Sequence, residues 1–393
     1  MRIGLIGIGQ AGGKIADKLL EYDVSRTEGR DFVQGCVAVN TAEQDLDGLE
    51  VVPEDNRVLI GESRFKGNGV GADNTKGRDV MESDYNEVLT QMNDMPVHNI
   101  DAFVLVAALG GGTGSGGLPV LAKQVSQRYS EPVFGLGVLP SEDEGTIYSV
   151  NAARSLEACI EETDNLLIFD NDLWSKGKSL EESYDYLNEK IAHRFGTLFS
   201  AGEVDQDSNV AQSVVDASEV INTLDCGGVT AIGYAESDIS DDKVNPGLLK
   251  RLTGGVDVDE NEATTRMRSL AENAISGRLT LEANTKSTER ALVLFSGPSK
   301  FLTRKGTEEG RSVVERKADC MEVRGGDYPR DVSFVSSTVV LSGLYDVPRI
   351  KSLQKMAVEA SEQISEIRDN RDDNLEKLLE EEDASEIDSL LDL

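Results

Sequence analysis

The sequence predicts an α/β protein: an N-terminal doubly wound, mostly parallel sheet domain, a long central helix, and a C-terminal α+β domain with a mixed sheet. Three observations predict it. Short apolar runs alternate with helical stretches through the first half, the pattern of buried parallel strands and crossover helices. An unbroken helical pattern then covers Ser179–Phe199. Beyond it, strands and helices alternate less regularly, and two strand runs lie close together across a Gly-Gly pair.

Taken in order, the strand runs of the first half are Ile3–Ile8, Phe32–Val39, Ala102–Leu109, Pro132–Leu139 and Leu166–Phe169. The first four are rich in Val, Ile, Leu or Ala and end in glycine or polar turn residues. In the long helix Tyr184, Leu187, Asn188, Ile191, Phe195 and Leu198 recur at helical spacing. The second half offers helices at Asp207–Leu224 and Thr264–Ser276, and strands at Val229–Ala235, Arg290–Phe295, Cys320–Val323 and Val332–Leu344. With Gly325-Gly326 as a turn, the last two suggest an antiparallel or mixed sheet. Asp238–Asp241 and Val256–Glu262 read as acidic surface loops. From Lys351 the chain is helical and acidic, which divides it as 1–178, 179–201, 202–350 and 351–393. In the tail, Leu375, Leu378, Leu379 and Ile387, Leu390, Leu391 keep i, i+3, i+4 spacing. That describes either a solvated tail or an amphipathic motif that docks on a membrane-associated or regulatory protein.

Composition narrows the function. The 393 residues are 39% hydrophobic, enough for two domains, and no apolar run approaches the roughly 20 residues needed to cross a bilayer. Met1-Arg2-Ile3-Gly4-Leu5 enters a strand pattern directly, without a basic lead, apolar stretch or cleavage site, so a cytoplasmic protein is expected. The four cysteines, Cys36, Cys159, Cys226 and Cys320, are widely spaced and read as reduced core thiols. Thirty-nine Lys and Arg against 72 Asp and Glu give a net charge of −33, which argues against nucleic acid as a partner. The acids are spread along the chain. In molar salt the Debye length falls to about 3 Å and such a surface repels itself little.

Two glycine-rich segments carry the chemistry. Strand Ile3–Ile8 runs into Gly7-Ile8-Gly9-Gln10-Ala11-Gly12-Gly13-Lys14 and then a helix. Glycines admit close approach of backbone N–H groups to a phosphate, and the helix presents its positive end to the anion. The spacing matches G-x-G-x-x-G and leaves a dinucleotide-dependent oxidoreductase open. Lys14 is followed by Ile15, which excludes a P-loop. The second strand ends Ala38-Val39-Asn40-Thr41, without an acid at its tip for an NAD ribose. Strand Ala102–Leu109 leads into Gly110-Gly111-Gly112-Thr113-Gly114-Ser115-Gly116-Gly117, where six glycines in eight residues carry an entropic cost that needs a reason. A second phosphate cradle on a neighbouring strand supplies it, with Thr113 and Ser115 offering hydroxyls.

Gly110 to Gly116 resembles the signature loop of tubulin and FtsZ, and Gly9 to Gly12 resembles the tubulin version of the first loop. The resemblance implies a guanine-nucleotide-binding protein that takes GTP or GDP with Mg²⁺ carried by the phosphates. It implies contacts from Gly9, Gln10, Ala11, Gly12, Gly13 and Lys14, from Asn40 of Asn40-Thr41, and from Gly71 and Ala72 of the γ-phosphate-sensing loop Gly69–Asp73. Gly110, Gly111, Gly112, Thr113, Gly114 and Ser115 form the second cradle; Glu144 before Gly145 would meet the sugar, and Asn171 before Asp172 the guanine. Tyr184 and Asn188 are four apart, so they share a helix face, and in tubulin the matching pair stacks on and reads the base. Core packing is the alternative for Tyr184, and Tyr186 competes for its role.

Val215-Asp216-Ala217-Ser218-Glu219-Val220 resembles the segment that one subunit presents to the nucleotide of the next. Spaced i, i+3, Asp216 and Glu219 would project from one helical face; alone, such a pair is usually just solvated. The resemblance makes them catalytic, orienting the water that attacks GTP, and makes the protein a head-to-tail homopolymer whose hydrolysis depends on assembly. Two departures from FtsZ imply altered turnover: Val214 replaces an asparagine, and Tyr148 replaces the arginine of Glu-Gly-x-x-Arg. The mixture of tubulin-like and FtsZ-like motifs with haloarchaeal acidity is most similar to the CetZ family, whose role is in cell shape and whose place is the cytoplasm or the inner face of the envelope. An FtsZ-type division protein and a non-hydrolysing scaffold are the alternatives within the superfamily.

Overall fold

The computed structural model describes residues 1–26, 31–175, 180–203, 214–239 and 259–360. Ten strands among them form one sheet: β1 (Ile3–Ile8), β2 (Val33–Asn40), β3 (Arg57–Leu59), β4 (Ala102–Ala108), β5 (Val133–Leu139), β6 (Asn165–Asp170), β7 (Val229–Asp238), β8 (Arg290–Gly297), β9 (Glu322–Pro329) and β10 (Phe334–Leu344). Their order is β3-β2-β1-β4-β5-β6-β7-β10-β8-β9. The pairs from β3 through β7 are parallel, β10 runs antiparallel to both β7 and β8, and β8 pairs parallel with β9. The expected parallel and mixed halves are thus one continuous sheet.

Both faces are covered, which is why the strands read as apolar runs rather than alternating ones. One face packs Ile3, Leu5, Val104 and Phe134 against α1 (Gly9–Ser25) and the central helix, here α8 (Leu180–Ser200); α2 (Glu43–Asp47) and α9 (Ala217–Leu224) also lie there. Leu187, Ile191, Phe195 and Leu198 are the stripe that α8 buries, at about 2 kcal/mol per side chain. The opposite face packs Ile6, Ile8 and Leu105 against α4 (Asn74–Met92), α5 (Thr113–Arg128) and α6 (Thr146–Glu162); further along it carries α10 (Glu260–Ser276) and α11 (Arg304–Ala318). Short helices α3 (Glu62–Phe65) and α7 (Asn171–Trp174) complete the described set, with a last helical stretch at 348–360.

Three expectations change. Strand Cys320–Val323 is displaced to Glu322–Pro329, so Gly325-Gly326 lie inside β9 and make no turn. A Cβ on Gly325 would sit 2.6 Å from Arg311 Cγ, so the glycine is there to let α11 lie close over the strand. Strands β9 and β10 are not neighbours either, because β8 lies between them and pairs with both. The expected helix Asp207–Leu224 starts only at Ala217; Val214 instead bridges Asp327 of β9, and 207–213 fall outside the described residues. The tail motif after Arg371 lies outside the described residues, as do 240–241 and 256–258 of the two expected acidic loops; the rest of those loops is not loop, since Asp238 ends β7 and Asp259 caps α10, which begins at Glu260. Strand β3 has no signature in the sequence, because three residues carry no readable period. Among the described residues, no helix is long and apolar enough to cross a membrane.

The two halves meet at β6 and β7, which pair over only two positions, Leu166↔Val229 and Leu167↔Thr230. Asn165 makes up for the short ladder. Its buried carboxamide donates to the Leu224 carbonyl at 2.9 Å, the Gly227 carbonyl at 2.8 Å and Ser342 Oγ at 3.0 Å, which joins β6, the turn after α9 and β10. Asn165→Ala leaves these acceptors unsatisfied and should cost about 2–4 kcal/mol. Urea unfolding in concentrated KCl, with the midpoint compared to wild type, checks it; an unchanged midpoint would show that the junction is held elsewhere.

Candidate nucleotide site

Strand β1 passes into α1 without an intervening loop: the helix begins at Gly9, so Gln10, Ala11, Gly12, Gly13 and Lys14 form its first turns. The expected loop-then-helix is compressed into a helix start. Likewise α5 begins at Thr113, and Gly114 and Ser115 lie within it; Gly110, Gly111 and Gly112 make the turn from β4. The N-cap positions, Ile8 and Gly112, offer no side-chain cap, and neither first turn contains an acid. Strands β1 and β4 pair in register up to Ile8↔Ala107, which sets the two uncapped helix ends side by side. Their leading N–H groups and helix dipoles converge on one anion-sized place.

Most of the glycines are explained by backbone meeting backbone. A Cβ on Gly12 would collide with the Val106 carbonyl oxygen, and one on Gly114 would lie 2.8 Å from the Ile8 carbonyl oxygen. Gly9, at φ +74°, sits against the Gly114 backbone nitrogen. A Cβ on Gly112 would lie 2.6 Å from Val70 Cγ2, so any side chain there would push the 69–73 loop away. The Thr113 and Ser115 hydroxyls point into the protein. Thr113 Oγ1 bonds Thr41 Oγ1 at 2.7 Å, and Ser115 Oγ donates to the carbonyls of Gly111 and Gly112. They brace the cradle, and what the cradle offers is backbone N–H.

Asn40 shapes its own loop: its Oδ1 accepts from Thr41 N at 2.8 Å and its Nδ2 donates to Asp45 at 3.0 Å. Gly69, Gly71 and Ala72 all hold positive φ, and Asp73 caps α4 by accepting from Thr75 N and Lys76 N. Alanine at φ +56° is a held conformation. The loop Pro140–Gly145 contains a capping box of Ser141 and Glu144. Asn171 Nδ2 donates to Glu144 Oε1 at 3.2 Å, while its buried Oδ1 meets no partner. Tyr184 is 40% exposed and lies against Glu144; burial and that carboxylate push its phenol up to about 12. Asn188 follows one turn along α8, and Tyr186 packs toward the core with Lys190 over its ring. Glu144, Asn171 and Tyr184 are therefore together, around an orphaned acceptor suited to the N1–H and N2–H donors of guanine. Tyr148 Cβ packs against Gly110.

The two acids are elsewhere and otherwise arranged than expected. Asp216 is the N-cap of α9, outside the helix, so the pair does not share a helical face. It forms a reciprocal box with Glu219: Glu219 N donates to Asp216 Oδ1 at 3.0 Å, and Asp216 N to Glu219 Oε2 at 3.3 Å. Ser218 Oγ, 2.6 Å from Asp216 Oδ1, holds the Asp216 carboxyl below its usual range; partial burial raises that of Glu219. Val215 N donates to the Asp327 carbonyl at 3.3 Å and fixes the segment to β9. Gly202 packs between Ala217 N and Met1 N, so the acids stand at the start of β1. The cradle stands at its end. Six strand residues, at about 3.3 Å each, separate the two by roughly 20 Å.

Two contributors were invisible in the sequence. Asn151 of α6 donates to the carbonyls of Ala72 and Gly110, and Arg349 reaches the Pro140 carbonyl at 2.9 Å and Asp170 at 3.2 Å. Neither belongs to a motif. Among the described residues no group of three or more His, Cys, Asp or Glu side chains is placed to hold a metal ion.

Comparison with known proteins agrees along the chain. The Tubulin/FtsZ family, GTPase domain, matches residues 2–177, and the tubulin-like CetZ C-terminal domain matches residues 177–359. The chain is 52% identical over 375 residues to tubulin-like protein CetZ1 of Haloferax volcanii, with 94% of each covered. It is 50% identical to CetZ3 of the same organism over 382 residues, covering 96% of this chain and 97% of that one. The solved GDP-bound CetZ1 monomer superposes with a TM-score of 0.81 at 47% identity, covering 92% of this chain and all of the other. The GTPγS-bound CetZ2 protofilament gives 0.81 at 39%, covering 93% and 100%. With relatives this similar over nearly the whole length, and a fold that superposes on theirs over more than nine-tenths of the chain, the chain belongs to the CetZ family of tubulin-like proteins.

Proposed function

We propose that the chain binds GTP between the two uncapped helix ends, polymerises head to tail, and hydrolyses the nucleotide at the contact between copies, in the control of cell shape. The observation that carries this is polarity. The cradle lies at the carboxyl end of the parallel strands, Asp216 and Glu219 at the amino end, and about 20 Å of sheet keeps them apart. A chain cannot bring its own acids to its own phosphates; a second copy stacked in the same direction can. Such a contact is heterologous, so it repeats into a filament. The relatives' GDP-bound monomer and GTPγS-bound protofilament are the states this cycle requires.

Within the pocket, N–H groups of Gly9 to Lys14 and of Gly110 to Ser115 take the phosphates, Gly71 and Ala72 meet the terminal one, and Asn40 shapes the loop beside them. Glu144 takes the sugar. Tyr184 covers the base, while Asn171 and Asn188 read its edge. Mg²⁺ carried by the phosphates would supply neutralisation of their charge, with no side chain of this chain assigned as its ligand. From the neighbouring copy, Asp216, held below its usual range by the Ser218 hydroxyl, fixes the segment, and Glu219, held above its usual range by burial, orients and deprotonates the attacking water. The protein works in the cytoplasm, at the inner face of the envelope where the tail meets a membrane-associated or regulatory partner. Family membership sets aside the oxidoreductase alternative.

Light scattering and phosphate release in concentrated KCl test the whole reading: GTP drives assembly and turnover, GDP drives neither. Scattering that ignores the nucleotide would sink it. Glu219→Ala should still bind GTP and assemble while phosphate release falls by about a hundredfold or more; unchanged release would remove Glu219 from the chemistry. Because the raised carboxyl of Glu219 takes up its proton earlier than an ordinary glutamate, wild-type turnover should decline as pH falls through that raised value. Glu219→Gln should be slow and lack this acid limb. For the base, Asn171→Ala should lower GTP affinity by about tenfold and lose preference over ATP, read by competition against a fluorescent GDP analogue.

A further inference from the structure

Helix α6 reaches three of the pocket's loops. Its first residue follows Gly145 of the sugar loop, and one turn further Asn151 is 98% buried beneath the two loops that flank the terminal phosphate position (2% exposed). Asn151 Nδ2 donates to the Ala72 carbonyl at 2.7 Å and to the Gly110 carbonyl at 3.0 Å, with the Gly111 carbonyl at 3.4 Å. One more turn on, Ser155 Oγ lies 3.4 Å from the Leu109 carbonyl, so α6 runs as a rail under the second glycine turn. The carbonyl that Asn151 grips most closely belongs to Ala72, a non-glycine residue at φ +56°.

That conformation is disfavoured for an alanine relative to the ordinary helical region, because its Cβ crowds the following carbonyl oxygen. Neighbouring Gly71, also at positive φ, has no atom within 4 Å of where a Cβ would be, so packing on that residue does not hold the loop in place. A buried carboxamide with two donors shared among three carbonyls on two loops is a clamp, and it fixes the distance between Ala72 and the Gly110–Gly111 turn. The turn belongs to the cradle that serves any diphosphate. The 69–73 loop matters only for a third phosphate.

We infer that Asn151 is a positioning residue for discrimination between GTP and GDP. It sets the Ala72 backbone at the spacing from the second glycine turn at which a terminal phosphate is received. This rests on the reading of 69–73 as the loop that meets that phosphate. Asn151 touches no nucleotide itself; it acts through two carbonyls.

The test is the ratio of GTPγS to GDP affinity, measured on the full-length protein below its assembly concentration by displacement of a fluorescent GDP analogue. Asn151→Ala should weaken GTPγS by roughly tenfold, the scale of one lost buried hydrogen bond, and leave GDP within twofold. A glycine takes positive φ without the tie, so adding Ala72→Gly to Asn151→Ala should restore part of the lost ratio. A merely structural asparagine would lower both affinities together, and Ala72→Gly would then recover nothing; either result, or an unchanged ratio, overturns the inference. If Asn151→Ala does not fold, Asn151→Gln, which keeps the donors but overreaches by a methylene, gives the same readout with a smaller loss. Failure of wild-type protein to bind GDP at all would count against the nucleotide pocket itself, a separate result from an unchanged ratio.

Discussion

The contact of Gly12 with the Val106 carbonyl, and its counterpart between Gly114 and the Ile8 carbonyl, sets how near α1 and α5 come to each other's strands. Any Cβ at either place would force a helix outward, and the two N-termini would no longer face one anion. The other pocket contacts depend on this spacing. Thr41 and Thr113 can share a hydrogen bond only because the loops after β2 and β4 are drawn in beside them. Gly77 and Gly116 repeat the device one layer out, where a Cβ on either would collide with backbone of the facing segment, so α4 crosses α5 closely and carries the 69–73 loop with it.

Sheet direction then separates the functions. Parallel strands put every helix N-terminus that follows them at one end, and the segment entering α9 returns to the other. On the proposed reading, the separation would make hydrolysis a property of the contact between copies. Anchoring of Val214 and Val215 to Asp327 of β9 gives the acids a rigid base, and the capping box fixes their mutual geometry to the start of a helix. The cap also explains why the carboxyls differ: the Ser218 hydroxyl stabilises the charge on Asp216, while burial opposes it on Glu219.

The C-terminal half is also tied to the nucleotide end. Arg349, just inside the last helical stretch, is nearly buried and joins the Pro140 carbonyl, Glu142 and Asp170. Burial pushes the Asp170 carboxyl up to about 6 in spite of that arginine, and its other oxygen accepts from Asp172 N, which caps the short helix that begins at Asn171, the residue with the orphaned acceptor. Trp174 reaches the Leu279 carbonyl from the same short helix. The Pro140–Gly145 loop and the turn after β6 are therefore held partly by residues more than a hundred positions downstream.

By itself the sequence determined the five longer strands before α8, α8 itself, the two glycine-rich segments and the family resemblance, because buried parallel strands and glycine-rich turns are local patterns with local causes; β3 was too short to carry one. Tertiary structure decided what depends on two distant segments meeting. Gly325-Gly326 reads as a turn because nothing nearby in sequence reveals that α11 lies on them, and nothing local reveals that β8, not β9, is the strand beside β10. Asp216 and Glu219 were correct as a spacing and wrong as a face: a helix that begins one residue later turns an i, i+3 pair into a cap. Asn151 and Arg349 carry no signature at all, since a side chain that acts by gripping carbonyls from other loops is defined only once those loops have been brought to it.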